Sequence, residues 1–362
     1  MYNDNIFFRI FALALVVVIA MSIFILIVWR WSVMFGFSFK PITIFFVALG
    51  LLLLLMLGFF LSMSSLAIIQ ILWLVFIGII YVLWFLCPLL FVNDIVSFFY
   101  KIPPMVMMGV SFLWLCFWLY YGTVHVQITP LMLTSNRITQ DHNIVFISDL
   151  HVEAIHNRQY VQKIVNRIQD LQPDFVVIGW DLMNTANTSY VNALLPFNQL
   201  TVPVYATLGN HDHIWDADAI PAITQKTKII VLRNESIDIG DLQLVGIDDK
   251  SYRSGKSLSM ILKESGMVDN KKFTLLISHQ PQKLDKLIWY PIDLQLAWHT
   301  HNGQFFPLSL VIRFFNDYAY GTYRLGDMTA FVSQWIGSWW ASFRLWTQRE
   351  IVLVSLKHSN TQ

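Results

Sequence analysis

The sequence predicts an α/β sandwich of mixed sheets with helices outside, preceded by an apolar N-terminal third. Three observations predict it. From residue 143 onward, runs that read as buried strands alternate with helical stretches. The strand runs are continuous Val/Ile/Leu segments rather than alternating ones, as expected of strands covered on both faces. Charge is partitioned along the chain, residues 1–121 containing only Asp4, Arg9, Arg30, Lys40, Asp94 and Lys101 among the charged side chains. The expected organisation is a membrane domain over 1–121, a linker over 122–142 and an α/β domain over 143–362.

The N-terminal third reads as membrane. Apolar stretches near Ile10–Val28, Ile42–Met63, Leu66–Val92 and Pro104–Tyr121 each reach the roughly 18–25 residues needed to cross the hydrocarbon core. A cleaved leader would have a shorter apolar core and no further spans behind it. Trp29, Trp31, Tyr100, Tyr120 and Tyr121 stand near the ends of the stretches, as aromatic belts do. The expectation is four transmembrane helices in a multi-pass protein of the cell membrane. Four spans put the N-terminus and the C-terminal domain on one side. Arg30, Lys40 and Lys101 in the intervening loops outnumber Arg9 and Arg137 on the other side, which tilts the C-terminal domain outward. With almost no charge inside the spans, nothing marks a transport path.

In the C-terminal part, NIVFIS is a strand. The helix behind it has apolar positions Val161, Ile164, Val165, Ile168 and Leu171 at intervals of three and four, and Pro173 ends it. FVVIG is the next strand, SYVNALLPFNQL a helix broken near Pro196, VPVYATL a strand and ADAIPAITQ a short helix. IIVLRNESIDIGDLQLVGID reads as a hairpin turning at Gly240-Asp241. SLSMILKES and QKLDKLIWY are helices flanking the strand FTLLIS, and the tail through DLQLA, TAFVSQ and EIVLVSL is mostly strand.

Composition removes several function classes. The first 121 residues take four of the 24 basic and two of the 23 acidic side chains, so the remainder is close to neutral and offers no basic field for nucleic acid. Cys87 and Cys116 both lie in apolar runs, so the C-terminal part needs no disulfide. All ten histidines fall beyond residue 121.

Five blocks carry the chemistry: Asp149-Leu150-His151, Asp181 through Asn184, Gly209-Asn210-His211-Asp212, Ser278-His279, and His299-Thr300-His301. Each follows a strand run. Strand ends converge on one rim, so these distant residues can share a site, and Asp, Asn and His together are ligand types for divalent metals. Taken singly, Asp149 reads as a strand-end cap, Asn210 as a turn residue after Gly209, and His279 as a loop histidine before Gln280-Pro281. Their joint, ordered occurrence at strand ends points to a metal site. Glu153, His156, His213 and Asp248-Asp249 read as solvated or supporting groups, and Arg253 and Arg324 as surface cations.

With these motifs the domain resembles the calcineurin-like metallophosphoesterases, in particular membrane-anchored bacterial members with GNHD as the third block and a Gly-Gln pair, here Gly303-Gln304, after the fifth. The resemblance implies a four-layer α-β-β-α sandwich and a metal-dependent phosphoric ester hydrolase with two divalent transition-metal ions. It assigns Asp149, His151 and His301 to the first ion, Asp181 to a bridge, and Asn210, His279 and His299 to the second. The mixed N/O set suits Mn, Fe or Zn. His211 is implied as the group acting on the transition-state or leaving oxygen, oriented by Asp212, with Asn184 orienting a ligand and a metal-bridging hydroxide as nucleophile. The substrate class is a phosphodiester or pyrophosphate, lipid-linked if the anchor sets its location. The rival expectation is an inactive membrane sensor or scaffold that keeps the fold.

The chain departs from that family at particular places. Trp180 and Trp298 stand before ligand positions where the family has glycine, and Trp335, Trp340 and Trp346 resemble glycine positions in the tail. Glycine there allows positive φ or close backbone approach, and Trp180 and Trp298 are expected to crowd the metal pocket. The chain has only 16 Gly beside 14 Trp, where glycine is usually about 7% of residues. The hypothesis is that UGA, read as glycine in the cell, has been translated as Trp at these five positions. Reading their codons tests it. UGA is expected at each, and UGG at all five ends the idea.

Overall fold

The computed structural model describes residues 37–62 and 104–359, except 153–156, 182–187, 211, 213–222, 224, 250–255, 267–270, 282–283, 305–307 and 339–343, with a few isolated positions before residue 97. The chain divides into two compact units, Met1–Trp118 and Leu119–Gln362.

Apolar helices span Pro41–Ser62 and Pro104–Val124, 22 and 21 residues long, overlapping two of the four stretches expected to cross a membrane. Their side chains are described only in part. Among the described residues no helix is long and apolar enough to cross a membrane. The other two expected spans lie outside the described residues.

The second unit is a mixed α/β sandwich. One six-stranded sheet runs β1-β12-β2-β3-β4-β5 and the other β10-β11-β9-β8-β7-β6. Their ranges are β1 Val126–Ser135, β2 His142–Ser148, β3 Phe175–Gly179, β4 Val204–Thr207, β5 Ile229–Val231, β6 Glu235–Ile239, β7 Leu242–Ile247, β8 Phe273–Ser278, β9 Leu294–Ala297, β10 Gly321–Leu325, β11 Met328–Val332 and β12 Arg349–His358. Three apolar cores separate four layers. The first packs Val161, Ile164, Val165 and Ile168 of the helix Arg158–Asp170 against Val145 and Ile147 of β2 and Val176 and Ile178 of β3. The second lies between the sheets, where Phe146, Val177, Leu275, Leu296 and Val354 meet. The third joins Val245 and Leu276 to Ile261, Leu284 and Leu287 of the helices Leu258–Glu264 and Leu284–Leu287. Strands β2, β3, β7 and β8 are buried on nearly every residue, which accounts for their unbroken Val/Ile/Leu composition.

Local signals place the helix Arg158–Asp170. The Asn157 side chain caps its start by accepting from the N–H groups of Gln159 and Tyr160. Its end passes through Gln172 at φ 47° into Pro173. The SYVNALLPFNQL segment is a 3-10 stretch, Thr188–Gln199, with Pro196 inside. QKLDKLIWY contributes helix only at Leu284–Leu287.

Two sequence expectations are corrected. Residues 122–142 were read as a linker, but they contain β1, which pairs in parallel with β12 over ten residues. As an edge strand with an exposed outer face, β1 tolerates Pro130, and its polar-apolar mixture hides the strand. The segment from Ile229 to Asp248 is not one hairpin. Strand β5 belongs to the first sheet beside β4, while β6 and β7 form the hairpin in the second, so Leu232–Asn234 crosses between sheets.

Order decides where function can sit. Strands β2, β3 and β4 are parallel neighbours, as are β8 and β9, so the chain leaves these strands along a shared rim. Phe146, fully buried between the sheets and 5.6 Å from Trp298 by ring centroids, tests the packing. Phe146→Ala is expected to cost about 3–5 kcal/mol in guanidinium unfolding of the detergent-purified chain. Met132→Ala on the exposed face of β1 (71% exposed) is expected to change stability by less than about 0.5 kcal/mol.

Candidate metal centre

Main-chain hydrogen bonds carry the parallel ladder past the strand ends and bring the blocks together. Asp149 N donates to Gly179 O at 3.0 Å, His151 N to Asp181 O at 3.0 Å, Trp180 N to Thr207 O at 3.0 Å and Trp298 N to His279 O at 3.0 Å. Gly209 lies so close to the Asp181 carboxylate that a Cβ would collide with it, which explains glycine at the start of the third block. Asp212 accepts from Gly209 N at 2.8 Å and Asp181 N at 3.2 Å, tying the second block to the third.

Two groups of ligand atoms result. Asp149, His151, Asp181 and His301 each offer one atom within 4.8 Å of the others, as do Asp181, His279 and His299, so Asp181 belongs to both. Asn210 joins the second group, its Oδ1 lying 2.5 Å from His279 Nε2. That same nitrogen is 2.7 Å from His299 Nδ1 and 3.4 Å from Asp181 Oδ2. A ring nitrogen of His279 thus faces an amide oxygen, a second imidazole nitrogen and a carboxylate oxygen at once, the mixed N/O surroundings that a divalent cation takes. In the first group Asp149 Oδ1 is 3.7 Å from His301 Nε2 and 3.9 Å from His151 Nε2. Both Asp149 oxygens are buried. Burial pushes the Asp149 carboxyl well above its usual range; the neighbouring Ser148 hydroxyl and the Arg344 guanidinium oppose the rise and the Asp212 carboxylate adds to it. The residues present fit divalent ions, since mixed carboxylate, amide and imidazole donors are typical ligands.

The backbone is strained at this site. Five of the eleven non-glycine residues with positive φ among those described are Asp149 (50°), His151 (45°), Asp181 (96°), His299 (82°) and His301 (57°). Such conformations persist where surroundings enforce them and concentrate at functional sites.

Of the sequence-predicted residues, Asp149, His151, Asp181, Asn210, His279, His299 and His301 are brought together. His211, Asn184, Glu153, His156, His213 and Arg253 lie outside the described residues, and so does any bond from Asp212 to His211. Asp248 and Asp249, read as solvated or supporting, are buried. Asp248 pairs with Arg233 at 3.2 Å, and Asp249 accepts from Gln280 Nε2 at 2.7 Å. Arg324 lies exposed on β10. Sequence reasoning did not single out Glu350 or Arg344. Glu350 is fully buried, accepting from Thr129 Oγ1 at 2.6 Å, Tyr320 Oη at 3.0 Å, Ser333 Oγ at 2.8 Å and Gln334 N at 3.0 Å. The one signal available was an acidic side chain opening an apolar strand.

The tryptophans sit differently from expectation. Trp180 packs into the helix-side core and Trp298 between the sheets; Trp298 meets His279 edge-on at 5.4 Å and donates its indole N–H to Trp180 O at 2.8 Å. Closer still to the ligand rings is Trp335, whose ring centroid is 3.5 Å from that of His301 and 5.1 Å from that of His151. Trp335 and Trp346 hold φ of 68° and 62°, values that glycine adopts freely and a bulky side chain rarely does. Trp340 lies outside the described residues.

Comparison with known proteins gives one family and several relatives. The family model described as calcineurin-like phosphoesterase matches residues 142–319. An uncharacterized metallophosphoesterase of Helicobacter pylori is 29% identical over 251 residues, 67% of this chain and 68% of its own length. A Danio rerio protein named transmembrane protein with metallophosphoesterase domain is 27% identical over 233 residues, 60% of this chain and 53% of its own. The solved structure titled GAP50, the anchor in the inner membrane complex of Plasmodium, shares 12% identity, covering 59% of this chain and 80% of its own at a TM-score of 0.35.

Glycine in place of Trp335 is expected to remove the ring against His301 and relieve backbone strain. Trp335→Gly should therefore raise cobalt affinity at least threefold by chelator competition. Unchanged or weaker affinity would count against both the crowding and the glycine reading of this position.

Proposed function

Because the chain carries a calcineurin-like phosphoesterase domain, we propose that it is a membrane-anchored two-metal phosphoester hydrolase. The single observation that carries this reading is the pair of ligand groups sharing Asp181. In it Asp149, His151 and His301 would hold one ion and Asn210, His279 and His299 the other, with Asp181 contributing to both groups. When bound, such ions polarise a phosphoryl oxygen and make water nucleophilic near neutral pH. The chain's own part is to fix the geometry. Asp212 holds the main chain of Asp181 and Gly209, and the glycine permits the carboxylate's close approach. The intersheet core fixes β8 and β9 behind the two histidine blocks. His211 is proposed to act on the transition-state or leaving oxygen, with Asp212 beside it in sequence. Manganese, iron or zinc are the metals the donor set favours.

The anchor is proposed from the four apolar stretches and from the name of the Danio rerio relative. It supports a substrate at the bilayer surface, such as a lipid-linked phosphodiester or pyrophosphate, with the domain facing outward. The inactive sensor or scaffold is kept as a second reading because the Trp335 ring lies against His301.

Metal content and turnover separate the two. Detergent-purified protein, as written and with glycine at 180, 298 and 335, is expected to hold about two transition-metal ions and to cleave bis(p-nitrophenyl) phosphate. His279→Ala should abolish cleavage, lowering it by at least 100-fold. A glycine-restored protein without bound metal would remove the enzyme reading. A reporter fused to the C-terminus decides the side of the membrane.

A further inference from the structure

A loop of the C-terminal tail packs behind the turn that carries Asp149 and His151, outside the segment matched by the family model. Its described residues, 334–338 and 344–348, reach that turn through main chain. Ile336 N donates to Ser148 O at 3.1 Å and Gly337 N to Asp149 O at 3.1 Å. Any Cβ at Gly337 would collide with the Asp149 carbonyl. The turn therefore cannot move without moving the loop.

Arg344 ties the loop together. It is fully buried, and its guanidinium donates to carbonyls on both sides. Nη1 reaches Gln334 O at 3.1 Å and Gln348 O at 2.7 Å. Nη2 reaches Gln334 O at 3.1 Å, Trp335 O at 3.3 Å and Gly337 O at 2.9 Å, and Nε reaches Gly337 O at 3.2 Å. A planar fork with five N–H groups suits this ring of carbonyls, and an ammonium does not. Burial pushes Arg344 down to about 9, which leaves it charged at neutral pH. The same loop touches the end of the helix Pro104–Val124. Arg344 N donates to Thr123 Oγ1 at 3.1 Å. A Cβ on Gly122 would meet Arg344 O at 2.6 Å and Thr347 O at 2.9 Å.

We propose that Arg344 is a positioning residue for the metal centre, and that its loop makes the first metal's ligands, Asp149 and His151, depend on the helix end at Gly122. The inference rests on the metal reading of those two ligands. The strained φ at both needs surroundings that hold it, and the loop supplies them through its main-chain bonds to Ser148 O and Asp149 O.

The test uses the full chain in detergent, loaded with cobalt(II), as wild type, Arg344→Lys, Arg344→Gln and Gly122→Ala. The visible spectrum and chelator competition read each ion, and circular dichroism reads the fold. Wild type is expected to bind two ions. The variants should bind one of them at least tenfold more weakly with altered absorption bands, while the ion at His279 and His299 keeps its affinity. Loss at one site of two is a signature that general destabilisation does not give, and Lys should not rescue it. If the Arg344 variants fail to fold, Gly122→Ala alone decides, since alanine suits a helix. Folded variants with both ions bound as in wild type would overturn the inference. A wild type that binds no metal would remove the ligand reading itself, and this inference with it.

Discussion

The structure turns on carboxylates held out of water. Asp149 and Asp181 are fully buried among imidazoles, and burying a carboxylate is costly unless cations or donors compensate it. Around His279 Nε2 an amide oxygen, an imidazole nitrogen and a carboxylate oxygen converge, and on the other side Asp149 faces two more imidazoles. Divalent cations suit both places at once. The fold then reads as the apparatus that keeps these groups close despite their repulsion: two sheets, three cores, and chain exits on a shared rim.

Strain is distributed in the same way. The positive φ values at Asp149, His151, Asp181, His299 and His301 each oppose folding by about 1–3 kcal/mol. What offsets them is mostly main chain. Bonds such as Asp149 N to Gly179 O and His151 N to Asp181 O continue the parallel ladder into the loops, so strand pairing aims the ligands. Gly209 and Gly337 contribute by absence, since a side chain on either would collide with Asp181 or with the Asp149 carbonyl.

Much of this was legible in the sequence because the relevant signals are local. NIVFIS, FVVIG and FTLLIS announce strands buried on both faces, and the ligand types follow them directly. The Arg158–Asp170 helix announces itself by the spacing of Val161, Ile164, Val165 and Ile168. What stayed hidden depends on pairing across long separations. Strand β1 is an edge strand with Pro130 inside and Met132 exposed, so its pattern is weak until β12 lies beside it. The crossing of Leu232–Asn234 between sheets has no residue signature, because Ile229–Val231 and Glu235–Ile239 look alike wherever they pair. Arg344 was invisible for a sharper reason. Its partners are carbonyls, which every residue has, and no composition or spacing marks a guanidinium that will be enclosed by main chain.

The tryptophans show where local and global consistency part. Trp180 and Trp298 satisfy the fold, filling two cores with large buried rings, and Trp298 also lies edge-on to His279. Trp335 and Trp346 do not satisfy it, because the backbone there takes a hand that a bulky side chain resists. Natural sequences keep local preference and global fold in agreement except where function demands otherwise. An indole against His301 serves no step that the ligand set requires, and its backbone contacts are the ones glycine would make: Glu350 N donates to Trp335 O at 3.0 Å and Ser333 Oγ accepts from Trp335 N at 2.9 Å. The main chain at 335 is thus specified by its neighbours, while the indole is enclosed by His301, His151 and the Arg344 guanidinium. A left-handed backbone held in this way is one that glycine takes without strain, so it is the φ at 335, more than the space around it, that argues for glycine there.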